Sequence, residues 1–152
     1  MNAPDYREFF ERYVDVFNQV LDGHAPAEQV RASYAEHFVS ASAGGMVQGG
    51  ANDERYAQVL RDGAEFHRLI GTQRMHLRGV EAMPIDEQHD LVRVRMRSDH
   101  ERRDGQPLGL DFVVTYLLQR RDGGPKIFAF IAGDEMALYR EHGLVDEQGR
   151  PR

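Results

Sequence analysis

Residues Leu108 to Asp134 read LGLDFVVTYLLQRRDGGPKIFAFIAGD. The stretch has the form of two long strands around a tight turn. Its first run is rich in β-branched and aromatic residues, Asp122-Gly123-Gly124 supplies the turn chemistry, and a second aromatic run follows. Immediately upstream, Leu91 to Arg103 alternates. Val92, Val94 and Met96 face one way and Arg93, Arg95 and Arg97 the other. Asp104-Gly105-Gln106 turns this strand into the hairpin. The rest of the chain reads as cover for it.

Register follows from the requirement that one face be continuously apolar. If Arg103 pairs with Pro107, Val94 faces Tyr116, Met96 faces Val114 and Ser98 faces Phe112. If Arg121 pairs with Pro125, Leu118 faces Phe128, Tyr116 faces Phe130 and Val114 faces Ala132. Both choices put the same middle-strand residues on one side. The inner face then carries Val92, Val94, Met96, Phe112, Val114, Tyr116, Leu118, Phe128 and Phe130, turning polar at Ser98, His100 and Asp134. The outer face carries Val113, Thr115, Leu117, Ile127, Ala129 and Ile131 beside the arginine stripe. A face this apolar calls for a cover, and a second subunit meeting it as a homodimer is the expected one.

The N-terminal half supplies helices. Asp5 to Leu21 repeats apolar residues at three- and four-residue steps (Phe9, Phe10, Tyr13, Val14, Phe17, Val20, Leu21), with Asp5 and Glu8 at capping-box spacing. Asp22-Gly23 ends it and Pro26 opens a short second helix. Glu36 to Ser42 reads as a short strand. Met46-Val47-Gln48, between Gly44-Gly45 and Gly49-Gly50, reads as a hairpin arm. Asn52 or Asp53 caps a third helix reaching about Ile70, with Tyr56, Val59, Leu60, Phe66 and Ile70 on its apolar side. Arg74 to Met83 is a strand in which Gly79 marks a bulge, because the apolar parity switches there. Asp134 caps a last short helix, Glu135 to Glu141. The tail from 145 to 152 is polar and expected to fray.

Composition narrows the function. The chain has 152 residues, one domain by length, enough to bury roughly 68–70% of its unfolded surface. It has no cysteine, so no disulfide and no thiolate metal site. Net charge is −6 and the pI about 5.6, which argues against nucleic acid as a partner. No run approaches the ~18 apolar residues of a membrane span, and the first eight residues lack the apolar core of a leader. The expectation is a soluble, cytoplasmic, single-domain protein.

The element order (helix, short helix, short strand, helix, curved antiparallel sheet ending in long hairpins) resembles the nuclear transport factor 2-like fold. This cone-shaped family also holds ketosteroid isomerases, scytalone dehydratases and polyketide cyclases. The similarity spans nearly the whole chain. It rests on that order, on Arg12-Tyr13-Val14 and Asn18 in the first helix, and on Asp122-Gly123-Gly124-Pro125-Lys126-Ile127 at the last turn. The resemblance implies an α+β cone: three N-terminal helices packed on a curved, mostly antiparallel sheet of about six strands. It also implies homodimers through the outer sheet face. The isomerase mechanism needs a carboxylate base on the first strand, a tyrosine, and a protonated acid on the sheet. Tyr13 matches the tyrosine. The base would fall at about Ser40 to Ser42 and the acid at Val114 or Tyr116, and no carboxylate stands at either. Asp111 has the wrong parity. The isomerase activity therefore does not carry over.

The candidate residues each have a structural alternative. Tyr13 can donate into a cavity or bond a carbonyl in the core. Tyr116 can line the cavity or simply pack. His100 can act as an acid or base or sit at the rim, and so can His37. Asp134 can face the cavity or cap its helix. Asp134 with His100 or His37, and Tyr13 as donor, is the catalytic candidate set. Arg93, Arg95 and Arg97 form a basic row that can serve as an anion site or as a solvated or interface stripe paired with acids such as Asp99, Glu101 and Asp111. No metal spacing stands out among the seven histidines, and no cofactor is implied. The expected function is binding of a small apolar molecule in the cone. Tyr13, Phe17, Tyr34, Phe38, Tyr56, Ser98, Phe112, Tyr116, Phe128 and Phe130 would surround it. The alternatives are an isomerase, dehydratase or cyclase acting on a small cyclic substrate, or a filled-core domain that dimerises or binds a partner.

Overall fold

The computed structural model describes residues 4–152. Met1 to Ala3, part of the stretch read above for a leader, lie outside the described residues. The architecture is the expected α+β cone. Helix α1 (Arg7–Leu21) leads into a 3-10 helix (Ala27–Ser33), strands β1 (Tyr34–Ser42) and β2 (Val47–Ala51), and helix α2 (Glu54–Leu69). Strands β3 (Thr72–Pro84), β4 (His89–Glu101), β5 (Pro107–Gln119) and β6 (Lys126–Ala132) follow, and α3 (Glu135–Glu141) closes the fold. The six strands form one sheet in the order β2-β1-β6-β5-β4-β3. Only β1 and β6 run parallel; the other neighbours are antiparallel.

The middle strand faces as the apolar pattern requires, and both hairpins depart from the expected register in an informative way. In β4–β5, Val94 faces Val114, Met96 faces Phe112 and Ser98 faces Leu110, a slip of two residues that preserves every side. The cause is Gly105, which adopts φ +84. A three-residue turn needs its left-handed residue last, so the turn is Arg103-Asp104-Gly105, closed by Arg102 N–H on the Gln106 carbonyl at 2.9 Å. In β5–β6, Val114 faces Ala132 and Tyr116 faces Phe130 as expected, but a bulge follows and Leu118 faces Ile127. The bulge reverses two assignments. Ile127, expected on the outer face, is fully buried in the core. Phe128, expected inside, lies against His89 with ring centroids 5.6 Å apart. The hairpin cannot continue regularly because Arg120 leaves the ladder, its N–H going to the Gln88 carbonyl at 2.6 Å and its guanidinium to Asp90. The bulge expected at Gly79 is present, with the register shifting between Leu77 and Gly79.

Helix α1 crosses the inner face and is tied down at both ends. At its start Tyr6, not Asp5, occupies the cap position. The Tyr6 hydroxyl donates to Asp90 at 2.5 Å. Asp90 is fully buried and accepts two bonds from Arg120, at 2.7 and 2.8 Å. At the other end the buried Asn18 amide meets the edge of β3, donating to the Met75 carbonyl at 2.9 Å and accepting its N–H at 2.8 Å. Arg68 of α2 then donates to the carbonyls of Val20 and Leu21, which the helix leaves without internal partners. Asp53 caps α2, accepting from the N–H groups of Arg55 and Tyr56.

A second, smaller core forms where the far end of the sheet meets α3 and the tail. Ile70, Leu110, Tyr139, Leu144 and Val145 build it. The tail does not fray at 145: Val145 is buried and bridges to Pro151, and Arg152 N–H reaches the Leu144 carbonyl. Gly71, at φ +82, lets the end of α2 touch the Glu101 backbone, where any Cβ would lie 2.1 Å from its carbonyl oxygen. The outer sheet face remains apolar and open, with Val39 45% and Ile131 55% exposed. Arg97 there pairs with Asp111 at 3.2 Å. Among the described residues no helix is long and apolar enough to cross a membrane.

Asp90 is the polar group on which this arrangement leans most. Asp90→Ala would remove the carboxylate that the Tyr6 hydroxyl and the Arg120 guanidinium both face. Urea unfolding should show a loss of about 3–5 kcal/mol, as for a broken buried ion pair. A loss below about 1 kcal/mol would class it with exposed pairs instead.

Candidate functional site

The cone encloses a cavity of about 430 Å³ between α1, α2, the 3-10 helix and the inner sheet face. Of the residues expected to surround a ligand, Tyr13, Phe17, Tyr34, Tyr56, Phe112, Tyr116 and Phe130 line it. Three do not. Phe38 forms a backing layer, its ring 4.5 Å from Tyr56 and 5.1 Å from Tyr34. Ser98 is buried and turned to His100. Phe128 is carried away by the β6 bulge.

The cavity wall is aromatic and aliphatic with a few polar groups. The Tyr13 and Tyr34 hydroxyls are 2.8 Å apart. Tyr56 stacks edge-on to Tyr34 at 5.5 Å, and Tyr116 to Tyr13 at 6.1 Å. Burial pushes all four phenols up, so they stay protonated donors at any physiological pH. Tyr116 is held by Phe10 behind it, with ring centroids 4.8 Å apart.

One carboxylate enters this wall, that of Glu135. Its side chain forms no hydrogen bond or ion pair with any described residue. Burial alone raises its pKa, because the charged form is poorly solvated there. The sequence reading placed Glu135 only as the first residue of a helix, where acids are ordinary. The available signal was its neighbour. Asp134 is exposed and already caps α3, accepting the Ala137 N–H at 2.9 Å, so Glu135 is spare.

The histidines are distributed differently from expectation. His37 is exposed on β1. His100 is 2% exposed and lies behind the cavity wall, with Nε2 2.8 Å from Ser98 Oγ and Nδ1 3.1 Å from Thr72 Oγ1. Neither is bonded to Asp134, so the acid–imidazole set is not assembled. The imidazole that does line the cavity is His67. Its Nδ1 lies 3.4 Å from the same Thr72 hydroxyl, and Phe17 and Tyr139 flank its ring. Sequence reasoning passed over it, although Tyr56, Leu60, Ala64 and His67 recur at helical spacing and share one face.

Desolvation lowers both His67 and His100 to about 4. Their unfolded value is near 6.5. Between those limits the unfolded chain binds protons that the folded one refuses, so stability should be full above about pH 6.5 and fall toward pH 4. Each unmatched proton corresponds to about 1.4 kcal/mol per pH unit. Glu135, whose pKa is raised, works in the opposite sense. Calorimetric melting from pH 7.5 down to 4.5 should show His100→Gln flattening the decline and Glu135→Gln steepening it; equal slopes in all three proteins would contradict this assignment.

Comparison with known proteins agrees with the geometry. Residues 4–135 match the family described as NTF2-like protein (DUF6841). No curated protein matches the chain. Among solved structures, an NTF2-like protein with a cystatin-like fold from Novosphingobium aromaticivorans superposes with a TM-score of 0.63 at 15% identity, covering 90% of this chain and 85% of that one. A domain of unknown function with a cystatin-like fold from Nostoc punctiforme gives 0.63 at 16% identity, over 93% and 85%. A ketosteroid isomerase-like protein from Erwinia carotovora atroseptica gives 0.57 at 13% identity, over 86% and 97%. At these identities the likeness is one of fold. By its match over residues 4–135 and by its helix-on-cone architecture, the chain belongs to the nuclear transport factor 2-like family.

Proposed function

We propose that the protein binds a small, largely apolar molecule inside the cone. The observation that carries this reading is the cavity itself. About 430 Å³ falls within the range of small-molecule sites, which are typically apolar with a few placed polar groups. The Tyr13 and Tyr34 hydroxyls and the Glu135 carboxyl form the polar end. The ligand is therefore an apolar, ring-sized molecule carrying at least one hydrogen-bonding group.

A catalytic reading is favoured by one further observation, the Glu135 side chain in the cavity wall, which has no hydrogen-bond or ion-pair partner among the described residues. A carboxyl that burial makes harder to ionise holds its proton more readily than an exposed one and can serve as a general acid or base. With Tyr13 as donor it would suit an isomerase, dehydratase or cyclase acting on a small cyclic substrate. In that reading Glu135 takes the role the sequence analysis assigned to Asp134. We also propose that two chains meet through Val39, Val113, Thr115, Leu117, Ala129 and Ile131, the open apolar strip of the outer face; Ile127 is not part of it.

Native mass spectrometry of freshly purified protein, set against the denatured mass, tests both. Extra mass lost on denaturation is expected, and a titration with Nile red should weaken at least tenfold in Ala64→Phe, which fills the cavity from α2. Undiminished dye binding in a folded Ala64→Phe would refute the cavity reading. Ile131→Glu should convert a dimer to a monomer; a wild-type monomer would dispose of the interface.

A further inference from the structure

Four side chains run from the cavity wall into the second core as one chain of contacts. His67 lines the cavity on α2. Its Nδ1 is 3.4 Å from Thr72 Oγ1, which is 3.1 Å from His100 Nδ1, and His100 Nε2 is 2.8 Å from Ser98 Oγ. Thr72, Ser98 and His100 are all buried. His67 Nε2 bonds to no described residue. We infer that His67 is a second polar contact for the cavity's ligand, and that the Thr72–His100–Ser98 chain sets whether its Nε2 accepts or donates a hydrogen bond.

The constraint is a count of protons. Both imidazoles are neutral near pH 7, their pKa values lying at about 4, so each has a single N–H. The Thr72 hydroxyl also has one proton, and it stands between two Nδ1 atoms. If both rings carried their proton on Nε2, two bare Nδ1 atoms would compete for it. If both carried it on Nδ1, the buried Thr72 hydroxyl would accept twice and have no acceptor in the chain for its own proton. Buried polar groups are rarely left so. Opposite tautomers give each of the three contacts one donor and one acceptor.

Two such states exist with the same number of protons. In one, His67 Nδ1–H donates to Thr72, Thr72 donates to His100 Nδ1, and His100 Nε2–H donates to Ser98; His67 Nε2 is then a bare acceptor facing the cavity. In the other, each bond reverses, Ser98 donates to His100, and His67 Nε2–H becomes a donor. His67 can thus meet either a hydroxyl or a carbonyl on a neutral ligand, and the buried chain records which. A neutral ligand fits better than an ion, since the site holds an imidazole that resists protonation. The use of this contact rests on the ligand-binding reading; the coupled tautomers do not.

Nitrogen NMR on protein labelled with nitrogen-15 histidine and methyl-labelled methionine tests it. At pH 7 one of the two rings should carry Nδ1–H and the other Nε2–H. In Thr72→Val the Nδ1–H ring should revert to Nε2–H, with Ser98→Ala as the second variant should the first not fold. Two Nε2–H rings in the native protein, or unchanged tautomers in both variants, would overturn the coupling. Phenol and cyclohexanone then serve as hydroxyl and carbonyl probes, with the Met75 and Met96 methyls in the cavity wall reporting occupancy. The probes should move His67 Nε2 toward acceptor and donor respectively, with His100 following in the opposite sense. Methyl shifts without a His67 response would overturn the contact alone. No methyl shift with either probe would overturn the contact together with the binding reading beneath it.

Discussion

Helix α1 is suspended across the sheet between two polar anchors, and the cavity depends on that suspension. Asp90 holds its beginning through Tyr6, and Asn18 holds its end on the β3 backbone. Both anchors are buried and directional, so each fixes a distance that apolar packing alone would leave adjustable. Without them, the gain from burying apolar surface would pull the helix down onto the sheet and fill the space. A polar clamp at each end fixes how the helix lies across the sheet.

The middle of the cone shows what the clamps permit. Phe10 and Val14 still reach the sheet and form the main core with Val92, Val94 and Leu118. On the neighbouring side of the helix, Tyr13 and Phe17 line the cavity while packing edge-on to Tyr116 and His67. The tyrosines there organise one another through ring edges and shared hydroxyl contacts. Their protons are locked on by burial, which makes them a donor set. Glu135 and His67 are the groups in the same wall that can change protonation or tautomer. An apolar chamber with a fixed donor set and two adjustable groups is suited to holding a neutral molecule in one orientation.

Where sequence reasoning failed, it failed at turns and at single residues rather than at faces. The hairpin register slipped by two because Gly105 must be the left-handed residue of its turn, yet the inward set survived because a slip of two keeps parity. Phe128 and Ile127 exchanged sides because one extra residue enters at the bulge, and an odd insertion reverses every position beyond it. Asp134 proved to be a cap, so the carboxylate facing the cavity is the next residue. His67 was passed over beside six other histidines, though helical spacing put it on the inward face.

Alternation, helical spacing and turn chemistry determined the element order, the apolar inner face and the family of folds this chain joins. These are local or pairwise properties, and the chain carries them wherever it goes. Tertiary structure alone decided which inward residues line space and which fill it, which carboxylate is spare, and which two histidines share one hydroxyl. Those outcomes depend on how far apart α1 and the sheet are held, and on contacts between residues as distant as Tyr6 and Asp90 or Asn18 and Met75. No periodicity in a single strand of sequence encodes a distance of that kind.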